Sequence, residues 1–316
     1  WSSDVCSSDL NMHAVVIGAG IAGLATAALL GREGYEVTVV DSLDEVGGRA
    51  GNFAEAGFRW DTGPSWYLMP EAFDHFFALC GTSTEAELDL VDLSPAYRVF
   101  HGDAPVDVHS GIEEVTALFE SLEPGAGEKV RAYLAQANDT YEMALKHFLY
   151  TTFSAPLNLV HRDIRSRLSR LVALLTVNLE QYVGRTFSDA RLRQILSYPA
   201  VFLSSEPAAA PALYSLMSHT DLVEGVRYPQ GGFAAVVQAI YRQARKFGAT
   251  FRLGEEVTSI KVANQQVTGV RTNKGAIHAD IVVSAADLHH TETQLLPPQL
   301  RTYPERYWGR RNPGLG

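Results

Sequence analysis

The sequence predicts an α/β protein: a Rossmann-like dinucleotide-binding domain with a parallel sheet, interrupted by a mostly helical segment. Three observations predict it. A short apolar run, Val15-Val16-Ile17, leads straight into the glycine triplet Gly18-Ala-Gly20-Ile-Ala-Gly23. A small-residue helix and a second apolar run, Val37, Val39 and Val40, follow at once. Strand–helix alternation then lapses over residues 111–225 and returns from Val226.

Each element has its own warrant. The continuous apolar run before Gly18 suits a strand buried on both faces. Ala25, Ala27 and Ala28 let the following helix lie close to a sheet, and Gly34 ends it. Strand, helix, strand in this order makes a βαβ unit and so a parallel sheet. EAFDHFFALCG after Met69 reads as a helix, and strand-like runs follow around 87–100 and 105–109. After the helical stretch come VRYP, a helix at 231–247, then ATFRLG, VTSIKV, VTGVRT and ADIVVSA as strands. We therefore expect a discontinuous dinucleotide domain from 12–110 and 225–290, and a helical domain over 111–224. Residues 291–316 would begin a further C-terminal part.

Bulk properties narrow the function. The chain has 316 residues, 46% of them hydrophobic, enough to bury a sizeable core. A formal net charge of −10 gives no basic face for nucleic acid. Cys6 and Cys80 lie far apart and fit neither a disulfide framework nor a zinc site, so a reducing, cytoplasmic setting is expected. WSSDVCSSDL lacks the features of a signal or transit peptide. Its back-translation resembles a sequencing-adapter tail, and residues 1–11 are expected to be non-native. RRNPGLG stops without a closing element, and a truncated C-terminus is expected.

The glycine triplet carries the first chemistry. Gly18 permits the tight turn, Gly20 lets backbone approach a pyrophosphate, and Gly23 allows close helix–sheet packing. Ala19, Ile21 and Ala22 complete the loop, whose helix N-terminus offers N–H groups and partial positive charge to phosphates. Asp41, at the end of the second strand, is placed to accept from ribose hydroxyls.

A few residues on, DSLDEVGGRAG places Gly47, Gly48, Arg49 and Ala50 just past that strand. Here the sequence resembles the flavoprotein superfamily of amine oxidases, protoporphyrinogen oxidase and carotenoid desaturases. The resemblance implies FAD as cofactor, with the GGR backbone near the pyrophosphate and Arg49 near the phosphates. Arginine suits that role because it stays charged and offers a forked set of donors. Members often carry Glu where this chain has Asp41. No second fingerprint for a nicotinamide cofactor is present.

Several further stretches resemble the bacterial phytoene desaturase family in particular: GFRWDTGPSWYLMPEAF, DARLRQIL, APALYSL, YPQGGFAAVVQAI and SAADLHHTETQLL. By this resemblance Asp61, Thr62, Gly63 and Pro64 pass beside the flavin ring, and Val257 and Ala286 flank the cofactor. Trp66, Tyr67, Leu68 and Met69 are then candidates for an apolar substrate wall. The implied reaction moves a hydride from an allylic C–H of a polyene, phytoene or a related carotenoid, to the flavin, with proton loss forming a new C=C. The electron acceptor would be oxygen or a quinone. An FAD-dependent carotenoid isomerase or saturase is the alternative within the fold, and a non-catalytic polyene-binding or membrane-associated fragment the alternative outside it. Family members continue well past residue 316, so the chain as given is expected to bind FAD weakly and turn over little.

The candidate base is Asp163, in HRDIRSR, with Arg165 or Arg167 as the paired cation; a solvated basic helix start explains the same residues. His289 and His290, adjacent on a helix, face apart, and no metal is expected. Over 164–179, Ile164, Leu168, Leu171, Val172, Leu175 and Leu179 share one helical face beside Arg162, Arg165, Arg167 and Arg170. The stripe is too short to span a bilayer and suits either an ordinary core helix or peripheral membrane contact.

Overall fold

The computed structural model describes residues 12–102, 105–149 and 165–311. In chain order it begins β1 (His13–Ile17), α1 (Ile21–Arg32), β2 (Glu36–Val40), the hairpin strands β3 (Asn52–Glu55) and β4 (Phe58–Asp61), and α2 (Pro70–Leu79). Short strands β5 (Leu90–Asp92), β6 (Tyr97–Val99) and β7 (Val106–Val108) precede the helices. These are α3 (Ile112–Leu122), α4 (Ala126–Ala144), α5 (Leu168–Thr176), α6 (Leu179–Gly184) and α7 (Ala190–Ser197). The chain returns through β8 (Arg227–Pro229), α8 (Phe233–Lys246), β9 (Thr250–Arg252), β10 (Val257–Ala263), β11 (Gln266–Thr272), β12 (Gly275–His278) and β13 (Ile281–Ser284).

Two compact units result: residues 12–91 with 228–311, and the described residues of 92–227. The first is built on a parallel sheet in the order β13-β1-β2-β9. Alternate residues of β1 face opposite sides, as strand geometry requires. Val16 joins one core with Leu24, Ala27 and Ala28 of α1 and Val236, Val237 and Ile240 of α8. Val15 and Ile17 join another with Val257, Ile260 and Val270 of the antiparallel sheet β10-β11-β12. Burial on both faces explains why the run before Gly18 has no polar interruption. Each such side chain contributes about 1.5–3 kcal/mol relative to exposure.

The units divide at different places from those the composition suggested. Strands β6 and β7 fall with the helical unit rather than with the dinucleotide domain, because Val106 and Val108 pack on Val115, Phe119, Val130 and Leu134. Residues 291–311 fall with the dinucleotide unit, since Leu295 joins the core around Val15 and Ile17.

Local capping sets the helix boundaries of the helical unit. Asn178 Oδ1 accepts from Gln181 N–H at 2.8 Å and starts α6. Asp189 Oδ1 accepts from Arg191 N–H at 2.8 Å and starts α7. The Asn178 cap also breaks the stripe expected over 164–179. Helix α5 ends at Thr176, and Leu179 belongs to α6. Leu171 and Leu174 are buried, whereas Leu168, Val172 and Leu175 are 54%, 51% and 56% exposed. The apolar residues therefore occupy two faces of α5, one packed inward and one bare. Ile164 and Arg162 lie outside the described residues.

Candidate functional site

The glycine loop joins the C-terminal end of β1 to α1. Gly18, with φ +101°, donates its N–H to Val40 O at 2.8 Å and so ties the turn to β2. Two glycines of the triplet are demanded for different reasons. A Cβ on Gly23 would stand 1.9 Å from Gly18 O, so the protein itself excludes any side chain there. A Cβ on Gly20 would meet no protein atom nearer than Gly47 O at 3.8 Å, and its φ of −74° is open to any residue. Nothing among the described residues requires glycine at 20. Space left bare against backbone N–H groups is what a pyrophosphate needs. Helix α1 carries no side-chain cap and no acid in its first turn, so its N-terminal donors and positive end face that space uncompeted.

The GGR turn closes on this loop. Gly47 donates to Ala19 O at 2.9 Å, and a Cβ on Gly48 would approach Gly20 Cα to 3.3 Å. Gly47 and Gly48 both have positive φ, +126° and +55°, which side chains resist. Ala50 is buried, and the Arg49 side chain is exposed with no acidic partner among the described residues. It is free to meet an anionic ligand. A cavity of about 290 Å³ opens beside the turn, lined by residues 43–46 together with Gly48, Gly51, Asn52 and Thr62.

Asp41 has a task that spacing did not reveal. Its Oδ2 accepts from Ala19 N–H at 2.6 Å and its Oδ1 from Leu43 N–H at 2.8 Å. The carboxylate thus fastens the glycine loop to the segment after β2, with further lone pairs unused by these two bonds. Asp61 pairs with Asn52 across the hairpin, and Thr62 and Gly63 are laced to the GGR segment. Thr62 donates to Gly51 O at 3.0 Å, and a Cβ on Gly63 would fall 2.0 Å from Arg49 O. Pro64 is exposed beside them. Ala285 and Ala286 lie against Gly18, whose Cβ position is 3.3–3.4 Å from their backbone atoms. Val257 is buried in the core that Ile17 and Ala286 share.

The aromatic stretch divides. Phe58 and Trp60 lie on the β3–β4 hairpin with Phe53, exposed and stacked at 5.6–5.8 Å. Tyr67 does not line an open wall: it is 1% exposed, packed in the core with Phe77 and 4.6 Å from the Phe73 ring. The left-handed backbone at Met69, φ +57°, turns the chain into α2 and carries Tyr67 inward. Trp66, Leu68 and Met69 are half-buried.

Asp163 lies outside the described residues. Arg165 is exposed. Arg167 makes a forked pair with Asp139, Nη2 to Oδ1 at 2.6 Å and Nε to Oδ2 at 2.9 Å, and Arg170 binds the same carboxylate. Hydrogen bonds from Arg167 hold Asp139 well below the usual carboxylate range. Arg167 is therefore engaged in an ion pair of the helical unit, a partner that the local sequence gave no way to find. Asp221 was missed as well. It is 1% exposed, accepts from Tyr97 Oη at 2.9 Å, and burial pushes it up to about 7. His289 packs edge-on against Trp308 at 5.0 Å.

Residues 21–309 match the family model of the flavin containing amine oxidoreductases. The chain belongs to that family. Membership makes FAD the cofactor. The flavin oxidoreductase chain is 36% identical over 97% of its length to a carotenoid 3,4-desaturase of Haloarcula japonica, covering 61% of that protein. It is 37% identical over 87% to a phytoene dehydrogenase of Streptomyces griseus and 34% over 91% to a zeta-carotene-forming phytoene desaturase of Myxococcus xanthus. It covers 54% and 56% of those two, so it spans about half to three-fifths of the relatives it matches. Among solved structures, an oxidoreductase from Methanosarcina mazei superposes with a TM-score of 0.59 at 21% identity, covering 90% of this chain and 61% of its own. A putrescine oxidase variant gives 0.60 at 18%, covering 94% and 62%. At these identities the likeness is one of fold.

Proposed function

We propose that the protein is an FAD-dependent carotenoid desaturase acting on phytoene or a closely related apolar polyene. The observation that carries this is the continuous similarity to curated desaturases over 97% of the chain, supported by a glycine loop with open space at Gly20. Bound FAD would supply the two-electron acceptor; the protein's part is to hold, orient and shield. Gly18–Gly23 and Gly47–Ala50 hold the dinucleotide, with Arg49 meeting its phosphates. Asp61–Pro64, Val257 and Ala286 shape the surroundings of the ring, and Trp66, Leu68 and Met69 contribute apolar surface to the substrate. Asp163 is the candidate proton acceptor, with Arg165 the cation beside it. The reduced cofactor would pass its electrons to oxygen or a quinone.

A polyene dissolved in lipid must be drawn from a membrane, and we place this protein in the cytoplasm with a peripheral contact. Among the described residues no helix is long and apolar enough to cross a bilayer. The bare stripe Leu168, Val172 and Leu175 is the candidate contact, by insertion of its side chains. Electrostatic help is less than the sequence suggested, because Asp139 engages Arg167 and Arg170.

Expression of the complete gene in phytoene-producing cells tests the whole proposal. Yellow or red products with lengthened conjugation are expected. Products altered only in cis–trans geometry would show an isomerase, and unaltered phytoene with bound polyene would show a carrier. In the same cells Asp163→Asn should retain flavin and lower pigment yield; undiminished yield removes Asp163 from the reaction.

A further inference from the structure

Asp61 does something that its place in DTGP does not announce. Its Oδ1 accepts from the backbone N–H of Phe233, 3.0 Å away and 172 residues later in the chain. Phe233 is the first residue of α8, and Gly232 before it has no side chain with which to cap the helix. A carboxylate brought in from β4 fills that role, satisfying an orphan donor and facing the positive end of a 14-residue helix. Gly232 is fitted to this contact. Its φ is +81°, and a Cβ on it would lie 2.8 Å from Asp61 Oδ1.

The residue after Asp61 donates to Gly51 O and lines the cavity beside the GGR turn. Gly63 packs on Arg49 O. Asp61 thus ties the DTGP loop, itself packed on the GGR turn, to the double-glycine turn Gly231–Gly232. We infer that Asp61 is a positioning residue: through the Phe233 amide it anchors the DTGP loop to the start of α8, and so holds the wall of the cofactor site in place. This rests on the FAD reading for its consequence, but not for the contact itself. It assigns the acid to the protein rather than to the flavin, to which Asp61 need supply neither charge nor proton.

The test compares Asp61→Ala, which removes the acceptor, with Asp61→Asn, which keeps an acceptor oxygen and removes the charge. Two measurements are made on the chain: amide hydrogen exchange at Phe233 and fluorescence titration with FAD. Asp61→Ala should speed exchange at Phe233 and weaken FAD binding, each roughly ten- to hundredfold, the loss of one charge-assisted hydrogen bond. Asp61→Asn should lose only about three- to tenfold in both, since a neutral acceptor of equal geometry keeps roughly half the strength of a charged one. Gly232→Ala, which pushes a methyl group against the carboxylate and strains a backbone at φ +81°, should be at least as damaging as Asp61→Ala, and the double variant no worse than Gly232→Ala alone. If Phe233 keeps its protection in Asp61→Ala, the anchor is not there and the inference falls. If Asp61→Asn loses FAD as fully as Asp61→Ala while Phe233 stays protected, Asp61 serves the cofactor directly, and the inference again falls. Failure of the wild-type chain to bind FAD would leave the anchor standing, because exchange at Phe233 decides it without the cofactor.

Discussion

In the dinucleotide-binding unit glycines bring backbone directly against backbone, whereas in the helical unit side-chain pairs and caps join the elements. Gly23 seats against Gly18 O, Gly63 against Arg49 O and Gly48 against Gly20, with no side chain between. The helical unit instead relies on Asp139 shared by two arginines, Asp221 bound to Tyr97, and capping by Asn178 and Asp189. The difference teaches where tolerance to substitution lies. A backbone contact has no substitute for glycine, while a side-chain pair is replaced by any pair of matching shape and charge.

The sharpest way to break this comparison is at Gly23. Gly23→Ala should destabilise the protein by about 3 kcal/mol or more, because the added methyl overlaps a carbonyl held by α1 and β1. Gly20→Ala, three residues away, should leave the melting temperature nearly unchanged and abolish FAD binding, since only a ligand occupies that space. Equal loss of stability in the two variants, read by thermal unfolding, would erase the distinction between a packing glycine and a binding one.

Asp221 offers the next effect. Burial raises its pKa in the folded state, so folding takes up a proton there as pH rises past the ordinary carboxylate value. Its favourable share of stability is present below that value and is lost as pH climbs towards about 7. Asp221→Asn keeps an acceptor for Tyr97 and removes the titration. The variant should gain on wild type from about pH 4 up to about 7 and hold that gain above it, on the order of a few kcal/mol. Parallel stability profiles would show that the carboxylate is not buried.

Asp139 titrates the other way. Its pKa is depressed, so its contribution is present above the ordinary carboxylate value and lost as acid protonates it. Asp139→Ala should cost about 1–2 kcal/mol at neutral pH, the pair being a third exposed, and should flatten the acid limb of the denaturation profile. The smallest change in stability is expected on the bare face of α5. Replacing Leu168, Val172 and Leu175 by Ser should alter stability by less than about 1 kcal/mol in total, yet reduce co-sedimentation with anionic liposomes. Undiminished co-sedimentation would move the membrane contact elsewhere.

The first unit was readable because its requirements are local and absolute. Strand, glycine triplet, helix and acid recur within 30 residues of Ile17, and each position is limited by backbone geometry. The parallel sheet and the helix at 233–246 followed from apolar period and returned where expected. Less legible were the edges. Strands β6 and β7 carry the same alternating pattern whichever core they fill, so only packing assigns them to the helical unit. Tyr67 reads as a wall or as a core residue with equal ease; the left-handed turn at Met69, a conformation no residue type demands, turned it inward.

By itself, then, the sequence determined the dinucleotide loop, the parallel sheet and the flavin family, because glycines and β-branched runs state steric constraints that act between near neighbours. Tertiary structure alone decided the partners of the charged residues. Asp61 capping Phe233, Asp139 between Arg167 and Arg170, and Asp221 beneath Tyr97 join residues 28 to 172 positions apart. A carboxylate can accept from any donor that folding brings within 3 Å, and chain order does not record which one arrives.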